Sequence, residues 1–213
     1  MMEEWFVETS TIIIFALSAV LAFYLTANRR SISTRFWSSG MWMFALGVLL
    51  EAIFAFGIYN QLLIKLYLFV VAVLVELLAM GSINLTGKRD LIVTYYAYSV
   101  ASTVALALSL AYSDIGKIIT NYVVYGPLPM PVVITSSIVT FPAAVILMAI
   151  AGISYHKNHS YKMLSIIAGT LIVSVAGTLY IAQFPAFLYY AEFVGVLFLW
   201  LGFFDFRKPS SHN

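Results

Sequence analysis

The chain has no cysteine in its 213 residues. That excludes disulfides, thiolate metal sites, thiol nucleophiles and dithiol redox chemistry. Charge is also scarce. Only 9% of residues are charged, against about a quarter in soluble domains. None of the three histidines, His156, His159 and His212, falls inside an apolar run. Transmembrane b-type haem needs axial ligands that these helices lack. Intramembrane metal hydrolases with His ligands and serine proteases with a His base are unexpected for the same reason. His156 and His159 form H-x-x-H in a short basic segment, a spacing that reads as solvated loop histidines rather than a metal site. Gly-rich phosphate loops are missing too. The expectation is a protein that is not an enzyme, with no cofactor and no bound metal.

Apolar residues are abundant, at 62% of the chain. So apolar a chain would aggregate in water, and a lipid bilayer is its natural solvent. The net charge of +2 is too small to suggest a nucleic-acid partner. A spanning helix needs about 20 apolar residues. Seven stretches qualify: Val7–Ala27, Ser39–Tyr59, Leu62–Ile83, Leu91–Tyr112, Met130–Tyr155, Met163–Gln183 and Ala186–Phe206. The first follows Glu3, Glu4 and Glu8 rather than a basic segment, and no A-x-A-like site follows it. It reads as a retained helix and not a signal peptide.

The connections alternate in charge. Nine of the eleven basic residues, Arg29, Arg30, Arg35, Lys88, Arg89, Lys157, Lys162, Arg207 and Lys208, follow helices one, three, five and seven. Lys65, Lys117, Glu3, Glu4, Glu8 and Asp114 lie on the other side. The positive-inside rule then puts the N-terminus outside and the C-terminus in the cytoplasm. The sequons at Asn84 and Asn158 fall on the cytoplasmic side and are expected to carry no glycan. The fold class expected is an all-α integral membrane protein with seven transmembrane helices. Residues 1–208 form one domain and 209–213 a short polar tail. The expected location is the cell membrane, multi-pass.

Between helices four and five lies a longer connection, Ser113 to Pro131, punctuated by Gly126, Pro127 and Pro129. Its run Tyr122-Val123-Val124-Tyr125 favours β structure. It suits either a small hairpin before the Gly-Pro turn or a plain tether. Ala97, Ala101, Ala105 and Ser109 recur at helical spacing on helix four, and Gly169 and Gly177 on helix six. Both sets read as close-packing faces. Trp5, Trp37, Tyr59, Tyr67, Tyr112, Tyr189 and Tyr190 suit interfacial belts. Helices one to three and five to seven share punctuation, which fits a 3+1+3 arrangement with helix four as linker. Chance similarity between apolar helices is the better account of it, since a repeat needs self-similarity at a fixed period.

Three acids interrupt the apolar spans: Glu51 in FALGVLLEAIFAF, Glu76 in LFVVAVLVELLAMG and Glu192 in YYAEFVGVL. A carboxylate in hydrocarbon is costly, so each must have a partner, a proton or water. Counting about 1.5 Å per residue puts Glu51 and Glu192 at similar depth in the outer half, with Glu76 about 9 Å further in. Glu51 and Glu192 are therefore expected to share one site. Tyr180, Gln183 and Tyr189 are supporting polar groups near them, and Lys65 lies within reach of that end. Asp205 is expected at the cytoplasmic interface beside Arg207 and Lys208.

The seven-helix, N-outside layout resembles that of microbial rhodopsins and SWEET sugar transporters in topology alone. Helix seven holds no lysine for a retinal Schiff base, and no motif matches residue by residue. No functional residue is carried over. The leading expectation is a small-solute or ion transporter, with Glu51, Glu192 and Glu76 as binding or proton-coupling acids. The alternative is a non-enzymatic sensor, receptor or accessory subunit whose basic loops (Arg29, Arg30, Arg35, Lys88, Arg89) dock a partner. Assembly as a homo-oligomer or within a membrane complex is compatible with either.

Overall fold

The structure is a computed structural model. It describes residues 4–28, 31–58, 60–116, 119–120, 123–124, 127–158, 161–162, 164–166, 168–169, 171–172 and 185–203. Helices α1 (Glu4–Ala27), α2 (Ile32–Ala55), α3 (Gln61–Ile83), α4 (Arg89–Tyr112) and α5 (Met130–Asn158) form the body of the protein. The described residues at 161–162, 164–166, 168–169 and 171–172 are helical as well and are called α6; α7 is Pro185–Phe203. The fold is all-helical apart from one two-residue ladder, described below.

Helices α1 to α5 are each long and apolar enough to cross a membrane. In α7 the stretch Tyr189–Phe203 is apolar but shorter than a full crossing. The spans are apolar on their outward faces too: Ile12, Phe23, Leu49, Val100, Val104, Ile134 and Phe141 are all exposed. Large exposed apolar surfaces are rare on soluble monomers. Here they ring the bundle, as contact with lipid tails requires. The protein is a multi-pass membrane protein.

Local chemistry fixes the helix ends. Ser31 caps α2, its side chain accepting from the Thr34 amide, and Asn60 caps α3 by accepting from Leu63. Each satisfies an otherwise orphaned amide of the first turn. The Ser31 cap starts α2 at Ile32, seven residues ahead of the apolar run at Ser39, so Arg35 lies within the helix and not in a loop. At the other end Gly57, at φ 76°, turns the chain as a residue with a Cβ rarely can. α5 runs on to Asn158 and takes His156 and Lys157 into its last turn, where cations suit the helix dipole. His156 is thus helical and not in a loop. His159 and His212 lie outside the described residues.

Neighbouring helices close up through glycine. Gly40 lies against Leu78 and the Leu74 carbonyl, and Gly81 against the Trp37 ring and the Ser33 carbonyl. Gly169 lies against the backbone of Gly195, and Gly202 against Ile166 and Lys162. With no hydrophobic drive between helices in lipid, such backbone contact is a main source of association. Gly177 lies outside the described residues. On α4 the small-residue stripe does not pack as expected: Ala97, Ala101 and Ala105 face outward. Its buried residues are Tyr95, Ser99, Ser102, Leu106 and Leu110. The polar Ser102 goes inward because a buried acid of α3 needs a donor, and that orients the whole helix.

Pro142 sits inside α5. Proline has no N–H, so the Ile138 carbonyl, four residues earlier, loses its helical donor. The Tyr98 hydroxyl of α4 donates to that carbonyl at 2.5 Å. A side chain on a neighbouring helix thus satisfies the group the proline frees, as hydrocarbon demands. Trp200 in α7 likewise donates to the Leu17 carbonyl of α1 at 3.0 Å. Beyond α4, Ile119–Thr120 pairs antiparallel with Val123–Val124. Val123–Val124 is therefore the second strand of the ladder, and Ile119–Thr120 the first. The second strand lies against α2.

A candidate carboxyl-pair site

Glu51 stands four residues before the end of α2, and Tyr67 six residues into α3. Glu192 stands seven residues into α7. At about 1.5 Å per residue all three lie roughly 6–10 Å from the same end of the bundle. Three helices therefore deliver their polar groups to one level. The Glu51 and Glu192 carboxyls are within hydrogen-bonding reach of each other. The Tyr67 hydroxyl donates to Glu51 Oε1 at 2.6 Å. Glu51, Glu192 and Tyr67 are all buried, at 5%, 7% and 8% exposure. Around them the lining is aromatic and aliphatic. Phe54 meets the Tyr67 ring edge-on at 5.8 Å, and Leu50 and Phe54 are core residues.

Two carboxyls this close in apolar surroundings cannot both be ionised and unaccompanied. A hydrogen bond between them itself requires a proton, since ionised carboxylates only accept. Oε2 of Glu51 and Oε2 of Glu192 are both buried with no hydrogen-bond partner. The two oxygens can share one positive charge, as a proton between them or as a small cation. Divalent hard cations take six to eight oxygen ligands, several of them charged. Among the described residues no group of three His, Cys, Asp or Glu is placed to hold a metal ion.

Tyr189 is buried at 2% exposure, one turn before Glu192 on α7. Tyr180 and Gln183 lie outside the described residues, as do Asp205, Arg207 and Lys208. Glu76 is not part of the pair. Nine residues separate it from Tyr67 on α3, about 14 Å along the axis. It has its own partners on α4, the hydroxyls of Ser102 at 3.0 Å and of Thr103. Lys65 does not meet the acids; its Nζ donates to the Ala111 carbonyl at 3.3 Å and neutralises the C-terminal end of α4. Beside it Gln61 donates to Asp114, so the α2–α3 turn is tied to the chain leaving α4.

Tyr67 and the Ser102-Thr103 pair are the residues that the sequence reading did not place. Tyr67 passed as a belt aromatic, although it sits more than a turn inside its helix. Two adjacent hydroxyls in mid-span, in SVASTVAL, signalled a donor pair for a buried acid. No family model, no curated protein and no solved structure matches the chain.

Proposed function

We propose that the protein moves protons or a small monovalent cation across the membrane, using Glu51 and Glu192 as one site. The observation behind this is the pair of buried carboxyls within hydrogen-bonding reach of each other, each with an oxygen that takes no hydrogen bond from another donor. Intramembrane acids that face a bundle interior usually mark ion or proton routes. Tyr67 positions Glu51 and holds one of its oxygens, leaving the other for the ion. The alternation of basic connections supports seven crossings with the N-terminus outside, which puts the pair in the outer half of the cell membrane. Glu76 would then be a separate, inner acid and not a third ligand. Nothing in this reading requires enzymatic chemistry or a cofactor.

The test is flux. Purified protein in proteoliposomes is given opposed proton, sodium and potassium gradients in turn. Wild-type protein is expected to dissipate at least one of them, and the Glu51→Gln/Glu192→Gln double variant to dissipate none. Unchanged flux in the double variant would sink the proposal. A wild-type protein with no flux, but with a stoichiometric soluble partner on co-purification, would favour the sensor or accessory-subunit reading.

A further inference from the structure

Glu76 has a second setting of its own. A cleft of about 270 Å³ opens between α3 and α4. Its rim is aliphatic: Val100 and Val104 are 63% and 52% exposed on the outer face, and Val73 lines the opposite side. That outer face is the lipid-facing one, so the cleft opens sideways into the bilayer. Its floor is polar. Glu76 at 2% exposure and Ser99 at 0% both line it.

The floor is incompletely paired. Ser102 has one hydroxyl proton, yet it lies 3.0 Å from Glu76 Oε1 and 3.1 Å from the Ser99 carbonyl. Thr103 supplies the other donor. Ser99 Oγ is buried beside the Tyr95 hydroxyl, and neither atom makes a hydrogen bond of full geometry. The hydroxyl donors bring no positive charge to this acid. The one basic residue of α3, Lys65, is about 17 Å away along the axis and bonded elsewhere. A buried acid, an underbonded hydroxyl beside it and an aliphatic slot leading to lipid together define a ligand.

We infer that the α3–α4 cleft binds a lipophilic primary amine from the bilayer. Its ammonium pairs with Glu76 and donates to Ser99 Oγ, and its alkyl chain lies along Val73, Val100 and Val104. Charge-assisted hydrogen bonds are the strong ones in such a setting, and the aliphatic walls match the chain. This site is separate from the Glu51–Glu192 pair and stands or falls without it.

The probe is radiolabelled dodecylamine, bound to full-length protein in phosphatidylcholine nanodiscs. Saturable binding of one molecule per chain is expected. Glu76→Gln removes the charge at nearly constant shape, and Val104→Phe fills the slot from its lipid-facing side. Each is expected to weaken binding at least ten-fold, while Glu51→Gln leaves it unchanged. Circular dichroism and gel filtration establish that the variants are folded. Dodecyltrimethylammonium, which has no N–H to give Ser99, is expected to bind at least ten-fold more weakly than dodecylamine. The inference is overturned by binding no greater than in empty nanodiscs, by a folded Glu76→Gln variant of wild-type affinity, or by equal affinity for the trimethyl compound.

Discussion

The Tyr98–Pro142 contact offers a quantitative test of how the bundle meets lipid. Ile138 lies about 12 Å, and Pro142 about 18 Å, from the start of a helix about 43 Å long. With the helix centred on a core of about 30 Å, the freed Ile138 carbonyl sits about 6 Å inside the hydrocarbon, on a residue that is 45% exposed. Tyr98→Phe removes the donor at 2.5 Å and keeps the ring that stacks on Tyr95 at 6.2 Å. In water the carbonyl would take a water molecule and the cost would be small. In lipid it is left unpaired, which costs about 1–3 kcal/mol, although measured side-chain hydrogen bonds in membrane proteins reach only about 1.7 kcal/mol. The expected loss is thus about 1–2 kcal/mol. Pro142→Ala restores a helical N–H to the same carbonyl. In that background Tyr98→Phe is expected to cost about 1 kcal/mol less, since the two donors serve one acceptor. Reversible unfolding in detergent mixtures, followed by circular dichroism, gives all four corners of the cycle. A coupling energy below about 0.3 kcal/mol, which is within ordinary additivity, would refute the reasoning.

Further outcomes follow from the packing and the charge pattern. Gly169→Val puts a side chain where a Cβ already lies 2.9 Å from the Gly195 carbonyl oxygen; overpacking of about 1–3 kcal/mol is expected, seen as early thermal aggregation in detergent, and wild-type behaviour would contradict the α6–α7 contact. Tyr67→Phe leaves Glu51 Oε1 without its donor at 2.6 Å; flux is expected to fall several-fold with the fold intact, and unchanged flux would remove Tyr67 from the site. The chain has no cysteine, so single cysteines report topology directly. A cysteine at Asp114 is expected to react with impermeant maleimide from outside intact cells, and one at Lys88 only after lysis; the reverse pattern would invert the topology.

The parts of this fold that could be read in advance were those that follow from solvent. Long apolar runs specify crossings, and an acid inside one is conspicuous because hydrocarbon makes it expensive. Counting residues from the helix ends put Glu51 and Glu192 at one level, and both are buried. What could not be read was helix rotation. Alanine spacing on α4 pointed to a packing face, but the helix turns Ser99 and Ser102 inward, and Glu76 takes its hydroxyl donors from Ser102 and Thr103. Tyr67 was ambiguous because an aromatic near a helix end suits both a belt and a buried partner. The start of α2 was missed because Ser31 caps through a local hydrogen bond that hydropathy does not register. Pro142 was visible, but nothing in the one-dimensional pattern linked it to Tyr98.

The central claim is that Glu51 and Glu192 act as a single site holding one positive charge, and infrared difference spectroscopy tests it most directly. Spectra of the reconstituted protein are compared between acidic and alkaline buffer. The account predicts loss of a protonated-carboxyl C=O band in wild-type protein. It also predicts that the band is changed by Glu51→Gln and by Glu192→Gln to the same extent as by the double variant, since the proton belongs to the pair. Two independent bands, each removed by only one substitution, would show that the carboxyls act separately and would contradict the account.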